Sequence, residues 1–225
     1  MVYILPKSNY TFPHPDFADN IGLLAIGGDL CEQRLLLAYT MGIFPWYNEG
    51  EPILWWSPNP RMVLFPSEFH ISKSLKKTIK KKPYEIKLDF AFNQVVQLCA
   101  DVHRKKSGGT WIVTELQNAY SRLHQIGYAH SVECWHEGNM VGGLFGVSIG
   151  KAFFAESMFS LMSNASKVAL SFLSVYLQLN DFHFIDCQMP TDHLKSLGAK
   201  PIERNLYLNY LKKSLTFKSK LGCWH

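Results

Sequence analysis

No apolar run in the sequence approaches the roughly 18 residues that a membrane-spanning helix requires. Pro6, Lys7 and Asn9 interrupt the opening before the apolar core of a signal peptide could form. Neither a membrane span nor a secretory leader is expected. The five cysteines, Cys31, Cys99, Cys134, Cys187 and Cys223, are odd in number, far apart and without a CxxC pair. That spacing argues against a disulfide framework, a zinc site or dithiol chemistry, and a reduced, cytoplasmic protein is expected. The glycines of Gly142 to Gly150 match neither GxGxxG nor a Walker loop, and the lysine and hydroxyl of the latter are missing. They give no basis for a nucleoside triphosphate site and fit close strand packing or tight turns instead. There is no internal repeat and no low-complexity tract.

The chain has 225 residues, 47% hydrophobic and 14% aromatic, enough for a small domain beside a sizeable one. Residues 1–62 are dense in turn formers, with Pro13, Pro15, Gly27-Gly28-Asp29, Gly42, Pro45, Pro58 and Pro60, and one short helical segment from Glu32 to Thr40. We read them as a small N-terminal domain wrapped in loops. Residues 63–225 alternate strands and helices. Strands are predicted at Met62 to Phe65, Tyr84 to Leu88, His130 to Trp135, Met140 to Ser148, Lys151 to Glu156 and His183 to Cys187. Helices are predicted at Ser72 to Lys82, Phe90 to Val102, Glu115 to Ile126 and Ala165 to Leu179, the third with Thr114 and Gln117 in capping-box spacing. A tight hairpin at Ile149-Gly150-Lys151, followed by a long helix and another strand, implies an α/β (α+β) fold with a mixed sheet and flanking helices.

Chemistry gathers first at Phe184-Ile185-Asp186-Cys187-Gln188. In a strand, the period of two puts Asp186 and Gln188 on one face with Cys187 turned away. Such a pair is either a reaction centre at a strand end or a turn cap with a neighbour. Glu156 and Met158 share a side of another strand, a carboxylate beside an apolar wall. Leu170, Leu173 and Leu177 form an apolar helix face that suits either the core or a ligand pocket. Trp46 and Trp111 sit in loop-like contexts, where a large ring either anchors the loop or stacks on a base.

The net charge of +5 is unevenly placed, because Lys73, Lys76, Lys77, Lys80, Lys81 and Lys82 fall on one short segment. At 100° per residue Ile71, Leu75 and Ile79 make its apolar face and Lys73, Lys76, Lys77 and Lys80 the opposite one. Such a face suits plain solvation or contact with a polyanion. A second basic cluster, Arg104-Lys105-Lys106, runs into Ser107-Gly108-Gly109, whose glycines would permit a mobile loop.

Eight blocks, in order, carry a resemblance: Gly27-Gly28-Asp29-Leu30; Ala38-Tyr39-Thr40-Met41-Gly42-Ile43-Phe44-Pro45-Trp46; Trp55-Trp56-Ser57-Pro58; Thr110-Trp111-Ile112; Ala129-His130-Ser131-Val132-Glu133; Val141-Gly142-Gly143; Glu156-Ser157-Met158-Phe159-Ser160 with Ala165-Ser166-Lys167; and Ile185-Asp186-Cys187-Gln188. Together they resemble the motifs of bacterial leucyl/phenylalanyl-tRNA–protein transferases. The likeness runs from about Gly22 to Leu211 and leaves Thr216 to His225 outside. Asn59 stands where members usually have aspartate, and Ala155 where glycine is usual.

The resemblance implies an acetyltransferase-like catalytic domain after a small N-terminal one. The implied enzyme moves leucine or phenylalanine from charged tRNA to proteins that begin with arginine or lysine. It implies Asp186, Gln188 and Glu156 as the catalytic set, and Trp46, Trp111, Leu144, Met158, Leu173 and Leu177 as the pocket for the aminoacyl-adenosine end. Lys73, Lys76, Lys77, Lys80, Arg104 and Lys105 become the tRNA contacts. No cofactor, acetyl coenzyme A included, no metal and no membrane is implied, and a monomer is expected.

Because the ester is already activated, a neutral amine can attack it directly. Asp186 would orient the amine and take its proton directly or through the substrate, and Gln188 would hold that arrangement and donate to the developing oxyanion. Glu156 would bind an ammonium group, the donor's or the acceptor's, while Cys187 is the rival nucleophile. A non-catalytic tRNA-binding module and a coenzyme A-dependent acyltransferase are the alternatives.

Overall fold

The computed structural model describes residues 2–81 and 83–224, without the side chains of residues 106 and 107. Lys82 and the side chain of Lys106, members of the two basic runs, lie outside the described residues.

Turn-rich as it is, the N-terminal region builds a sheet. Strands β1 (Tyr3–Leu5), β2 (Leu23–Gly27), β3 (Phe44–Pro45) and β4 (Leu54–Trp56) lie in the order β1-β2-β4-β3, with helix α1 (Glu32–Thr40) inserted between β2 and β3. The helix stands where the sequence predicts it. The strands were not predicted, because segments this short do not display a period of two.

A seven-stranded sheet follows, formed by β5 (Arg61–Leu64), β6 (Glu85–Leu88), β7 (Ala129–His136), β8 (Asn139–Ile149), β9 (Ala152–Ser160), β10 (Phe184–Gln188) and β11 (Lys200–Ile202). Its order is β11-β5-β10-β9-β8-β7-β6, with β10 parallel to β9 and the other neighbours antiparallel. This is the expected mixed α/β architecture. The helices are α2 (Lys73–Lys81), α3 (Phe92–Ser107), α4 (Thr114–Gln125), α5 (Ala165–Leu179), α6 (Asp192–Ser196) and α7 (Arg204–Ser214). Among the described residues no helix is long and apolar enough to cross a membrane.

Alternation along the strands divides the core. Phe145, Val147 and Phe154 pack with α1, α3 and α4 on one face, whereas Val132, Leu144 and Phe153 pack with α5 on the other. Two glycines of β8 are needed for this closeness. A Cβ on Gly142 would stand 2.4 Å from that of Ala165, and one on Gly146 only 2.2 Å from the Phe154 carbonyl oxygen.

Two helix predictions need correction. Helix α3 continues through the Arg104-Lys105 cluster to Ser107 and stops at Gly108, whose φ of 75° ends it. Helix α4 begins at Thr114 itself after Val113, and Gln117 donates to the Ile112 carbonyl at 3.0 Å, so the capping box does not form. The tail outside the sequence resemblance is part of the core. Trp224 stacks on His130 at 4.0 Å, and its backbone amide donates to Asp89 at 2.8 Å.

Candidate active site

A cavity of about 530 Å³ opens where β9 and β10 part, just beyond their last pair, Asp186 and Phe154. Its walls come from β3, β8, β9, α5 and the end of β10, together with Trp111 before α4. Trp46, Trp111, Leu144, Met158, Glu156 and Gln188 all line it, as the sequence reading grouped them. Another large depression, about 570 Å³ beside Phe65, Glu68, Asp181 and His183, holds none of the predicted site residues.

Three expectations are corrected. Leu173 and Leu177 are completely buried in the core beneath the sheet, and Leu170 supplies the cavity wall instead. At 1.5 Å of rise per residue, the two later leucines stand roughly 5 and 10 Å farther along α5. The simple alternation of β10 also fails. Its register against β5 shifts between Asp186 and Gln188, and Gln188 takes a φ of 61°. As a result Cys187 lines the cavity beside Gln188 instead of turning away. Asp186 does not reach the cavity wall and is fully buried.

Asp186 is held by four donors. Arg61 gives Nε to Oδ1 at 2.8 Å and Nη2 to Oδ2 at 2.7 Å. Tyr207 donates to Oδ2 at 2.8 Å, and the backbone amide of Gln188 donates to Oδ1 at 2.9 Å. Every lone pair of the carboxylate is engaged. Burial works against the Arg61 charge, but the adjacent carboxylate more than restores it and raises the guanidinium pKa. Arg61 also lies over the rings of Phe44 and Tyr207, 4.7 Å from each, and donates to the Gly42 carbonyl at 3.2 Å. Asp186 therefore fixes the left-handed backbone of Gln188, and through it the side chain that faces the cavity.

Glu156 is 7% exposed at the cavity wall. Its Oε1 accepts from Tyr39 at 2.8 Å and from Gln188 Nε2 at 3.0 Å, and its Oε2 accepts from Tyr120 at 2.7 Å. Burial pushes its pKa from 4.5 up to about 7, against the three donors, while Asp186 pushes the same way as burial. Because a carboxylate can only accept, the Gln188 amide must turn its nitrogen to Glu156 and keep its oxygen free. Cys187 is a poor nucleophile here, since burial first, and Asp186 next, raise its thiol far above the usual range.

Arg61, Tyr39, Tyr120 and Tyr207 escaped the sequence reading. Tyr39 stood within a quoted block, but no local pattern pairs it with a strand far along the chain. His103, whose Nε2 lies 3.2 Å from Ser157 Oγ, also lines the cavity.

The basic residues lie elsewhere. Lys73, Lys76, Lys77 and Lys80 are exposed on α2, Ser72 Oγ accepts from the Leu75 amide at 3.2 Å as a cap, and Leu75 is buried. Arg104 and Lys105 are exposed near the end of α3, Arg104 paired with Asp101 at 2.9 Å.

Comparison with known proteins places the chain in a family. Residues 63–212 match the family model described as leucyl/phenylalanyl-tRNA protein transferase, and residues 28–59 match that family's N-terminal domain. The chain is 55% identical to the leucyl/phenylalanyl-tRNA–protein transferase of Desulfatibacillum aliphaticivorans, over 99% of its own length and 95% of the relative's. It is 54% identical to that of Legionella pneumophila (strain Corby), over 96% and 97%. It is 53% identical to that of Thermodesulfovibrio yellowstonii, over 100% and 91%.

Proposed function

The chain belongs to the leucyl/phenylalanyl-tRNA protein transferase family and is a transferase of aminoacyl groups from tRNA to proteins, and from that premise we propose a specific donor, acceptor and route. The donor is leucyl- or phenylalanyl-tRNA, and the acceptor is the α-amine of a protein beginning with arginine or lysine. Residues 1–60 act as a small N-terminal unit and residues 61–225 as the catalytic one, in a cytoplasmic monomer; the boundary read from the sequence after residue 62 moves back because β5 of the larger sheet begins at Arg61. The observation that carries this reading is an apolar cavity with a single buried carboxylate at its wall.

Leu144, Met158 and Leu170 receive the donor's apolar side chain, which is unbranched at Cβ. Trp46, 45% exposed, and Trp111 offer faces to the terminal adenosine. Glu156 takes a cation, either the donor's own ammonium group or the basic terminus of the acceptor. When Glu156 is ionised, it and Asp186 outweigh the positive Arg61 beside them, and the sum favours a cationic guest.

The acceptor amine, having lost one proton to solvent, attacks the ester carbonyl carbon. A C–N bond forms, the C–O bond to ribose breaks, and the second amine proton passes to the departing ribose oxygen through the substrate. Gln188 orients the amine with its free carbonyl oxygen, and its second N–H faces the developing oxyanion. Asp186 works through Gln188, not on the amine. The lysines of α2 and the Arg104-Lys105 pair meet the phosphates of the acceptor region.

Transfer of radiolabelled leucine from leucyl-tRNA to an arginine-started peptide tests the reading, run with and without acetyl coenzyme A. Transfer independent of the coenzyme is expected. A peptide starting with citrulline, which keeps the shape and loses the charge, should react poorly. Equal rates for the two peptides would remove cation recognition from the proposal.

A further inference from the structure

The two tyrosines at Glu156 do more than fill space. We propose that Tyr39 and Tyr120 are positioning residues for the transfer reaction: their hydroxyls oppose protonation of the buried Glu156 carboxylate and turn it so that one acceptor direction, on Oε2, is left for a substrate ammonium group. The inference rests on the transferase reading above and deepens it by naming what prepares the cation receptor.

The geometry is a matter of lone pairs. Each carboxylate oxygen offers two acceptor directions. Tyr39 and Gln188 take both on Oε1, whereas Tyr120 takes one on Oε2. The remaining direction belongs to the cavity side, because Glu156 lines the cavity while Tyr39 and Tyr120 are themselves completely buried. The phenol oxygens lie 3.2 Å apart, but each hydroxyl has a single proton and gives it to Glu156, so the carboxylate holds both.

The chemistry of the donors matters equally. A lysine or arginine in their place would neutralise Glu156 and compete with a cationic substrate. Phenols supply hydrogen bonds without charge, and burial, followed by the nearby Glu156 carboxylate, raises both hydroxyls well above their usual range, so they stay protonated. The other groups around Glu156 are Asp186, already paired with Arg61, the amide of Gln188, and His103 and His193 on the cavity wall. Tyr47 adds a further phenol near Tyr120. Tyr39 comes from α1 and Tyr120 from α4, so the receptor is assembled from three separate parts of the chain.

The test follows the Glu156 carboxyl carbon by NMR in protein labelled with 13C at glutamate, the resonance assigned by its loss in Glu156→Gln. It compares the wild type, Tyr39→Phe and Tyr120→Phe. Phenylalanine keeps each ring and removes only the hydroxyl. The wild-type midpoint is expected near 7. Each variant should move it upward by on the order of one unit, since a hydrogen bond to the charged form is lost. The acid limb of kcat/KM for leucyl-tRNA should move with it, and at pH 7 kcat/KM should fall about fivefold and recover at higher pH. Folded variants whose Glu156 midpoint and acid limb coincide with the wild type would overturn the proposal and leave the tyrosines as packing. Should one variant fail to fold, the other, on a different helix, decides. Failure of leucine transfer in the wild type would strike the functional reading alone, since the carboxyl titration does not depend on it.

Discussion

At Asp186 a carboxylate is surrounded by four donors, which makes it expensive to alter and indirect in its action. Asp186→Asn leaves Arg61 as an unpaired charge in the interior, a change that typically costs about 3–5 kcal/mol. It also slackens the backbone of Gln188. Single-turnover transfer at saturating leucyl-tRNA should fall more than tRNA binding does, and the melting temperature should fall with it. Cys187→Ser should keep most of its rate, because direct attack gives the thiol no bond to make. A trapped acyl-thioester at Cys187 would reverse that assignment. Glu156 sets a pH dependence of opposite sense to an ordinary ion-paired carboxylate. Its pKa rises from 4.5 to about 7 on folding, so the folded state holds the proton more tightly. The stabilisation from that proton is complete below about pH 4.5 and is lost as pH rises through about 7, on the order of 3 kcal/mol in all. Glu156→Gln should therefore gain in melting temperature relative to wild type between pH 5 and pH 8. A constant difference across that range would show that Glu156 keeps an ordinary carboxylate value. Gln188 was legible in the sequence because it ends an apolar strand, and Glu156 because it is the one carboxylate within another, although β9 runs past it to Ser160. Arg61 and the three tyrosines were not, since their partnership with the carboxylates exists only after distant segments fold together.

Among the elements, α2 couples a strongly anchored face to an unanchored charge. Leu75 is buried and Ile79 half-buried, while no ion pair among the described residues engages Lys73, Lys76, Lys77 or Lys80. Changing Lys76, Lys77 and Lys80 to Glu leaves the apolar face in place. It should raise the Michaelis constant for charged tRNA and flatten its salt dependence, as expected when phosphate contacts are lost. An unchanged salt slope would make the patch plain solvated surface. This helix was readable because its period of 3.6 is clean. Strand β10 was readable as a strand but not in its faces, because a bulge reverses alternation at the very residues that matter. Leu173 and Leu177 were misplaced for a related reason: periodicity gives the face of a helix, not how far along it the cavity lies.

Over the whole molecule, the smaller sheet shares an interior with one face of the larger sheet, and the C-terminal tail with the other. Leu35, Ala38 and Tyr39 of α1 belong to the same core as Leu116 of α4 and Phe145 and Phe154 of the larger sheet. Trp224, 1% exposed, fills a slot among His130, Phe153, Tyr176 and Phe182. Trp224→Ala should cost about 3–5 kcal/mol in denaturant unfolding, as for other large aromatics removed from cores. A loss below 1 kcal/mol would mean that the tail merely rests on the surface. The mixed α/β class was visible from the order of strands and helices, while the role of the tail was hidden in a stretch without periodicity.

Asp186 receives donors from Arg61, ahead of the large sheet's helices, and from Tyr207 in α7, after its last strand. A chain still being synthesised possesses Asp186, Gln188 and Glu156 before it possesses Tyr207. Until α7 docks, the carboxylate that sets Gln188 lacks one of its four donors, and the strand end at the cavity is not yet in its final shape. The last helix made is therefore also the one that completes the setting of Gln188.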